Sequence, residues 1–241
     1  MKIKPIPPIK GPHSHVRKIS KDSPKVEFGS GSKTFYYDAL YSTLVALRPK
    51  ICLEIGTHRG GTTNAFQRYF NDYRKNGWLL TVDIKKYVDI ETDNIKQCTI
   101  YPHVENIRTH HKEVMENDML NGFKNVESSV EKNCSIIQSA LSEAGFDKFD
   151  FVFIDGDHQR DSFLKDIEIS KRLSHAPHYM LLDDVYDYVH DSATVFHEEI
   201  KPKYSHYLFE NWNDSEEIRS SKRGRGIAEF MAGTALIWEK Q

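Results

Sequence analysis

Apolar positions along the chain follow two rhythms. Tyr37, Leu40, Tyr41, Leu44 and Leu47 recur every three or four residues and predict a helix over 35–47, ended by Pro49. An apolar run, Ile51-Cys52-Leu53-Glu54-Ile55, then predicts a short strand, and Thr62–Phe70 returns to the helical rhythm. Trp78–Val82, Phe149–Ile154 and His178–Leu182 read as further short strands, with a helical segment carrying Phe163, Leu164, Ile167 and Leu173 before the last of them. A helix over Ala193–Ile200 and two late strands, Tyr204–Phe209 and Ala235–Trp238, complete the pattern. Strands alternating with helices predict βαβ units, and strands without polar alternation predict a sheet covered on both faces. The expected fold is α/β: a doubly wound, mostly parallel seven-stranded sheet of Rossmann-like form, with a C-terminal antiparallel edge hairpin. Glu54 to Asp83, and Asp155 to Asp183, are each spaced by about 30 residues, one βαβ unit.

The stretch between Asp83 and Phe149 is less regular. Residues 85–132 are rich in charge and contain Cys98, His103, His110 and His111. They are expected to hold an insertion, with the histidines solvated, and Cys134-Ser-Ile-Ile137 is the best strand candidate there. Residues 1–34 are expected to form an arm. Five of the nine prolines stand at positions 5, 7, 8, 12 and 24, and residues 1–25 carry seven Lys or Arg against one acid, Asp22. Such a segment has little reason to become helical or to collapse. Residues 35–241 are read as one domain.

Composition narrows the field. The 241 residues are 39% hydrophobic and 28% charged, enough for a core and against global disorder. The net charge is −2, which gives no whole-chain reason to expect nucleic acid. Mean hydropathy is −0.60 and no long apolar run offers a membrane span. The N-terminus lacks the apolar segment of a secretory signal. Three widely spaced cysteines make neither a disulfide framework nor a metal pair, which points to a reducing compartment such as the cytoplasm.

The chemistry gathers at predicted strand ends. Ligands bind an open parallel sheet outside the carboxyl ends of its strands, and Glu54, Asp83, Asp155, Asp183 and Asp184 all stand there. The first turn, Glu54-x-Gly56-Thr57-His58-x-Gly60-Gly61-Thr62, gives a tight bend and a close approach to the next helix. Asp83 is placed for a ribose diol. A dinucleotide site wants G-x-G-x-x-G around a pyrophosphate, but here position 58 is His, and the acid at 54 would repel phosphate and attract an amino group. S-adenosylmethionine, with its ribose and cationic amino-acid tail, fits better.

With Leu53–Thr62, Thr81-Val-Asp83, Phe149–His158 and Leu181-Leu-Asp-Asp184, the chain resembles class I S-adenosylmethionine-dependent methyltransferases. Within them it is most similar to the metal-dependent small-molecule O-methyltransferase branch of catechol and macrolide-sugar enzymes. The resemblance covers about residues 35–185. It implies cofactor contacts from Glu54, Gly56, Thr57, His58, Gly60, Thr62, Asp83 and Asp155, with Thr62 holding the methionine carboxylate. An adenine-side turn would fall near Gln138-Ser139-Ala140, where the usual glycine is missing. It implies Mg²⁺, Mn²⁺ or Ca²⁺ on Asp155, Asp183 and Asp184, a set of hard oxygen donors. It implies His158 as general base toward a hydroxyl of a sugar, phenol or polyketide. The plainer alternatives are that Asp155 caps a loop, that Asp183-Asp184 caps a helix, that His158 is structural and that Asp157 is the contact instead.

Other functions compete. The place of the [DN]-P-P-[YF] loop of DNA amino-methyltransferases reads Asp155-Gly-Asp-His158, and no G-x-S-x-G elbow supports a hydrolase. A nicotinamide-dependent oxidoreductase and a catalytically silent binding module remain as alternatives. The run Arg219–Arg225, four cations in seven residues, reads as a solvated loop or a contact for an anionic substrate. The arm and edge strands are compatible with a homodimer; no membrane or nucleic-acid partner is expected.

Overall fold

The computed structural model describes residues 34–103, 129–185, 191–209 and 233–240. The elements run α1 (Thr34–Leu47), β1 (Ile51–Ile55), α2 (Thr63–Tyr73), β2 (Trp78–Asp83), β3 (Ile95–Thr99), α3 (Ser129–Glu143), β4 (Phe151–Ile154), α4 (Arg160–Leu173), β5 (Met180–Leu182), α5 (Asp191–Val195), β6 (Tyr204–Phe209) and β7 (Thr234–Glu239). A wider π-type turn, Phe196–Ile200, continues α5. The seven strands form one sheet in the order β3-β2-β1-β4-β5-β7-β6. The first five are parallel, and β7 runs antiparallel to both β5 and β6. The expected edge pair at the C-terminus is therefore present.

Side chains of successive strand residues enter two different cores. Leu53, Ile55, Leu80, Val82, Val152, Ile154 and Leu182 pack with Ile137 and Leu141 of α3 and with Phe163 and Ile167 of α4. Cys52, Leu79, Ile95, Phe151, Phe153 and Leu181 pack with Leu40 and Leu44 of α1 and with Phe66, Tyr69 and Phe70 of α2. Two helical layers thus cover one sheet, which explains why the parallel strands read as unbroken apolar runs.

Two expectations fail. Cys134–Ile137 is not a strand; it lies inside α3. The buried positions Val130, Asn133, Ile137, Ala140 and Leu141 have helical spacing, which overrides the local β-branched composition. The true third strand is Ile95-Lys96-Gln97-Cys98-Thr99, at the sheet edge and within the presumed insertion. Its polar residues hid it. His103 is also buried rather than solvated. His110 and His111 lie outside the described residues, as do residues 1–33, most of the 85–132 segment beyond His103, and the 211–226 loop.

Strand order reverses between β1 and β4, and the turn after β1 meets the end of β4 at that switch. Gly56 has φ +98, and its N–H donates to the Val82 carbonyl at 2.9 Å. A Cβ on Gly56 would stand 1.9 Å from the Asp155 carbonyl oxygen. Glycine is required there twice over, by conformation and by space.

One charged side chain stands among the apolar residues of the sheet. Glu54 faces the α2 layer and is fully buried. Its Oε1 accepts the Thr62 hydroxyl at 2.5 Å; its Oε2 accepts those of Thr63 and Thr81, each at 2.6 Å. Thr57 and Thr81 hydroxyls lie 2.5 Å apart. With Thr81 donating to the carboxyl, Thr57 donates to Thr81. Burial raises the Glu54 pKa to about 7, against the three hydroxyl donors, which lower it.

Two outcomes are expected. Gly56→Ala destabilises by about 3 kcal/mol or more, from overlap and left-handed strain together. Gly145→Ala, at φ +81 but with open space around its Cβ site, costs only about 1 kcal/mol. Denaturant melts of both variants check this, and equal losses would refute the crowding at the switch point. The folded state holds the Glu54 proton at pH values where the unfolded chain has released it. Stability therefore falls as pH rises from about 4.5 to about 7, by up to about 3 kcal/mol. Denaturant melts across this range should show a smaller decline for Glu54→Gln than for the wild type.

Candidate active site

The strand ends carry the site. Residues 57–60 form a tight turn in which the Gly60 N–H donates to the Thr57 carbonyl at 2.8 Å. His58 (φ 44) and Gly60 (φ 73) both take left-handed backbone. This turn aims the His58 N–H at Asp83, whose Oδ2 accepts it at 2.7 Å. Oδ1 of Asp83 accepts the Ile84 N–H at 2.7 Å. Backbone amides thus orient the Asp83 carboxylate at the end of β2. The His58 ring meets Tyr87 edge-on, with centroids 5.2 Å apart. Lys85 Nζ stands 5.3 Å from the centre of the same Tyr87 ring.

Glu54, Gly56, Thr57, His58, Gly60, Thr62 and Asp83 are brought together, but their tasks divide. Glu54 has no exposure, so it organises the turn from beneath rather than meeting a ligand's amino group. Thr62 gives its hydroxyl proton to Glu54, so in this conformation that hydroxyl is not a donor to a carboxylate. Ser139 is not at a turn beyond a strand; it lies exposed on α3, in the helix that precedes β4. The segment after the true β3 begins at Ile100. Thr63, Thr81 and Tyr87 join the site without having been expected. A hydroxyl residue aligned with Glu54 across the sheet (Thr81) was the available signal.

A second group follows β4 and β5. His158 Nε2 lies 3.4 Å from Asp184 Oδ2 and 4.0 Å from Asp155 Oδ1. The Ser192 N–H donates to the His158 carbonyl at 3.1 Å, and the Ser192 hydroxyl to the Asp184 carbonyl at 3.0 Å. The start of α5 therefore ties the two loops together. Asp184 has positive φ (50), which turns the chain sharply after β5. Asp183 is buried, and its Oδ1 has no hydrogen-bond partner among the described residues. Burial, and then the neighbouring carboxylates, push the pKa values of Asp155 and Asp183 well above the usual range. Asp157 serves the fold instead: its carboxylate accepts the Gln159 N–H at 3.3 Å and the Ser162 hydroxyl at 2.7 Å, at the start of α4. Among the described residues, no three His, Cys, Asp or Glu side chains are arranged to hold a metal ion. The donors at this cluster are hard oxygens, and the partnerless Asp183 Oδ1 suits a cation in chemistry, although the side chains do not converge on one point.

The comparisons with known proteins bear on the family and the fold. A family model described as a methyltransferase domain matches residues 53–185, from β1 to the end of the β5 turn. An O-methyltransferase from Bacillus cereus, solved in complex with S-adenosylhomocysteine (SAH), superposes with a TM-score of 0.52 at 13% identity, covering 96% of this chain and 93% of that one. Cofactor-bound Rv0187 from MTB gives a TM-score of 0.51 at 13% identity, covering 94% of this chain and 88% of that one. At such identities these two establish the fold. No curated protein is significantly similar to the chain in sequence. The family match spans more than half of the chain and takes in the turn after β1, Asp83 and the paired aspartates, and the chain belongs to the methyltransferase-domain family.

Proposed function

We propose that the protein transfers a methyl group from S-adenosylmethionine to a hydroxyl oxygen of a small molecule. The observation that carries this reading is the Asp83 carboxylate, held at the β2 end by the N–H groups of His58 and Ile84. A carboxylate oriented in this way suits a ribose diol, and the turn beside it lacks the G-x-G-x-x-G pattern of a pyrophosphate site. When bound, the cofactor supplies a methyl on a sulfonium: the acceptor oxygen forms the C–O bond as the S–CH₃ electron pair returns to sulfur, leaving SAH and a proton. His158 stands where that proton can be taken. Its Nε2 faces the carboxyl groups of Asp184 and Asp155, at 3.4 and 4.0 Å. Ser192 fixes the backbone on both sides of this pair. Gly56 and Gly60 let the cofactor's tail approach the turn above α2.

Asp155, Asp183 and Asp184 would hold a divalent cation, Mg²⁺ or else Mn²⁺ or Ca²⁺. Such an ion would orient the acceptor oxygen and relieve the crowding of carboxylates. The acceptor class, a sugar, phenol or polyketide hydroxyl, follows from the family resemblance. The three free cysteines suit a reducing compartment such as the cytoplasm. Among the described residues no helix is long and apolar enough to cross a membrane.

Calorimetric titration of SAH, with Mg²⁺ and then with EDTA, tests the reading. Micromolar binding is expected in both conditions; absence of binding in both would overturn the cofactor assignment. Asp83→Ala should weaken binding by about 2 kcal/mol, roughly thirtyfold, because charge-assisted hydrogen bonds to the diol are lost. Asp184→Ala should bind SAH within about threefold of the wild type while losing methyl transfer. Millimolar Mg²⁺ should raise the melting temperature of the wild type and not of Asp183→Asn. Equal melting of the wild type in Mg²⁺ and EDTA would remove the cation and leave the cofactor assignment standing.

A further inference from the structure

A buried chain of polar groups lies outside the site just described. His103 Nδ1 is 2.9 Å from the Ser129 hydroxyl, and His103 Nε2 is 3.0 Å from Asp166 Oδ1. All three residues are buried. An ionised carboxylate only accepts, so Nε2–H donates to Asp166, and in the neutral ring Nδ1 accepts the Ser129 hydroxyl. The order Ser–His–Asp resembles a hydrolytic triad, but Ser129 has no exposure and no substrate reaches it. Its groups are satisfied by one another, and a satisfied buried network of this kind rigidifies the segments it joins.

Its two ends lie against two ligand-facing loops. His103 lies in the segment that follows β3. That segment is also gripped at Tyr101, whose N–H donates to Asn133 Oδ1 and whose carbonyl accepts Asn133 Nδ2–H, both at 2.9 Å. Lys165 Nζ donates to the His103 carbonyl at 3.1 Å. At the other end, Asp166 lies under the turn after β4. A Cβ placed on Gly156 would stand 2.9 Å from Asp166 Oδ2. Gly156 lies between Asp155 and Asp157, two residues before His158, and its N atom also crowds Gly56. Asp166 Oδ2 thus occupies the space a side chain on Gly156 would need, close under the turn that carries Asp155 and His158.

We propose that Ser129, His103 and Asp166 are positioning residues that lock the loop after β3 (100–103) to the loop after β4 (155–158), and that this lock sets cofactor affinity. The second half rests on the cofactor reading above; the first does not. Once the lock is broken, both loops open together while β1 and β4 stay closed. The ligand then has to order two loops on binding, and its affinity falls.

The test uses the full chain and three variants. His103→Asn reaches the Ser129 side and leaves Asp166 unpaired, His103→Gln reaches the Asp166 side, and Ser129→Ala is the mildest. Hydrogen exchange of the unliganded proteins is expected to accelerate at 100–103 and 155–158 together, more than tenfold in His103→Asn and less in His103→Gln. Exchange in β1 and β4 should not change. SAH titration, well below each melting temperature, should show His103→Asn weakened about tenfold and His103→Gln weakened less. Acceleration in one loop alone, or none in a folded variant, would overturn the lock. If His103→Asn fails to fold, Ser129→Ala decides by the same exchange pattern. Coupled exchange without a change in SAH affinity would overturn the affinity claim only. A wild type that binds no SAH would overturn the cofactor reading, with the exchange experiment still judging the lock.

Discussion

The Gly56–Asp155 approach is the constraint on which the site is built. The chain leaves β1 and turns so close to the end of β4 that the backbone of Asp155 occupies the space of a side chain. This contact exists because strand order reverses there, so the two turns part to opposite sides of one crevice. It sets the distance between the turn that orients Asp83 and the loop that carries Asp155 and His158. A crevice with the Asp83 carboxylate on one wall and His158 with its acids on the other follows from packing two backbones at contact.

Beneath the turn, polarity is arranged in depth. Glu54 is buried and engaged by three threonine hydroxyls, whereas Asp83, one strand over and two residues further along its own strand, meets two backbone amides at the surface. The buried acid connects the end of β1 to α2 and β2; the partly exposed acid presents lone pairs. An apolar residue at 54 would leave three hydroxyls without acceptors, so the threonines make the carboxyl as necessary as it makes them. The same separation recurs after β4 and β5. Asp157 is engaged by the start of α4, while Asp155 and Asp184 face His158.

The sequence was legible where one physical signal dominated. Runs such as Phe149–Ile154 and Trp78–Val82 are apolar because both faces are covered, and each strand lay within two residues of its expected ends. Acids at strand ends located the crevice. The third strand escaped because an edge strand of mixed burial carries Lys96 and Gln97, and Cys134–Ile137 misled because β-branched residues sit on a buried helix face. That error carried the adenine-side turn to Ser139. Thr81 and His103 escaped for another reason: a residue whose work is to satisfy a buried partner shows its purpose only when the partner is in view. All five acids were found as a pattern, whereas of the three hydroxyls on Glu54 only that of Thr62 was singled out, and for another task.

Engagement of Thr62 by Glu54 changes how an anionic ligand group would be held. At 2.5 Å the Thr62 hydroxyl is a donor to the carboxyl, and its remaining capacity toward a ligand is as an acceptor. A ligand carboxylate above α2 would then rely on backbone N–H groups and the helix dipole, not on that hydroxyl. Protonating Glu54, whose pKa lies near 7, weakens its hold on the three hydroxyls and frees Thr62 to donate upward. Ionising it strengthens its hydrogen bonds to the three hydroxyls, at the desolvation cost that lowers the stability of the fold, and places a negative charge below the anion. The same buried group thus sets the rigidity of the turn and its tolerance for negative charge, and it sets them in opposite directions.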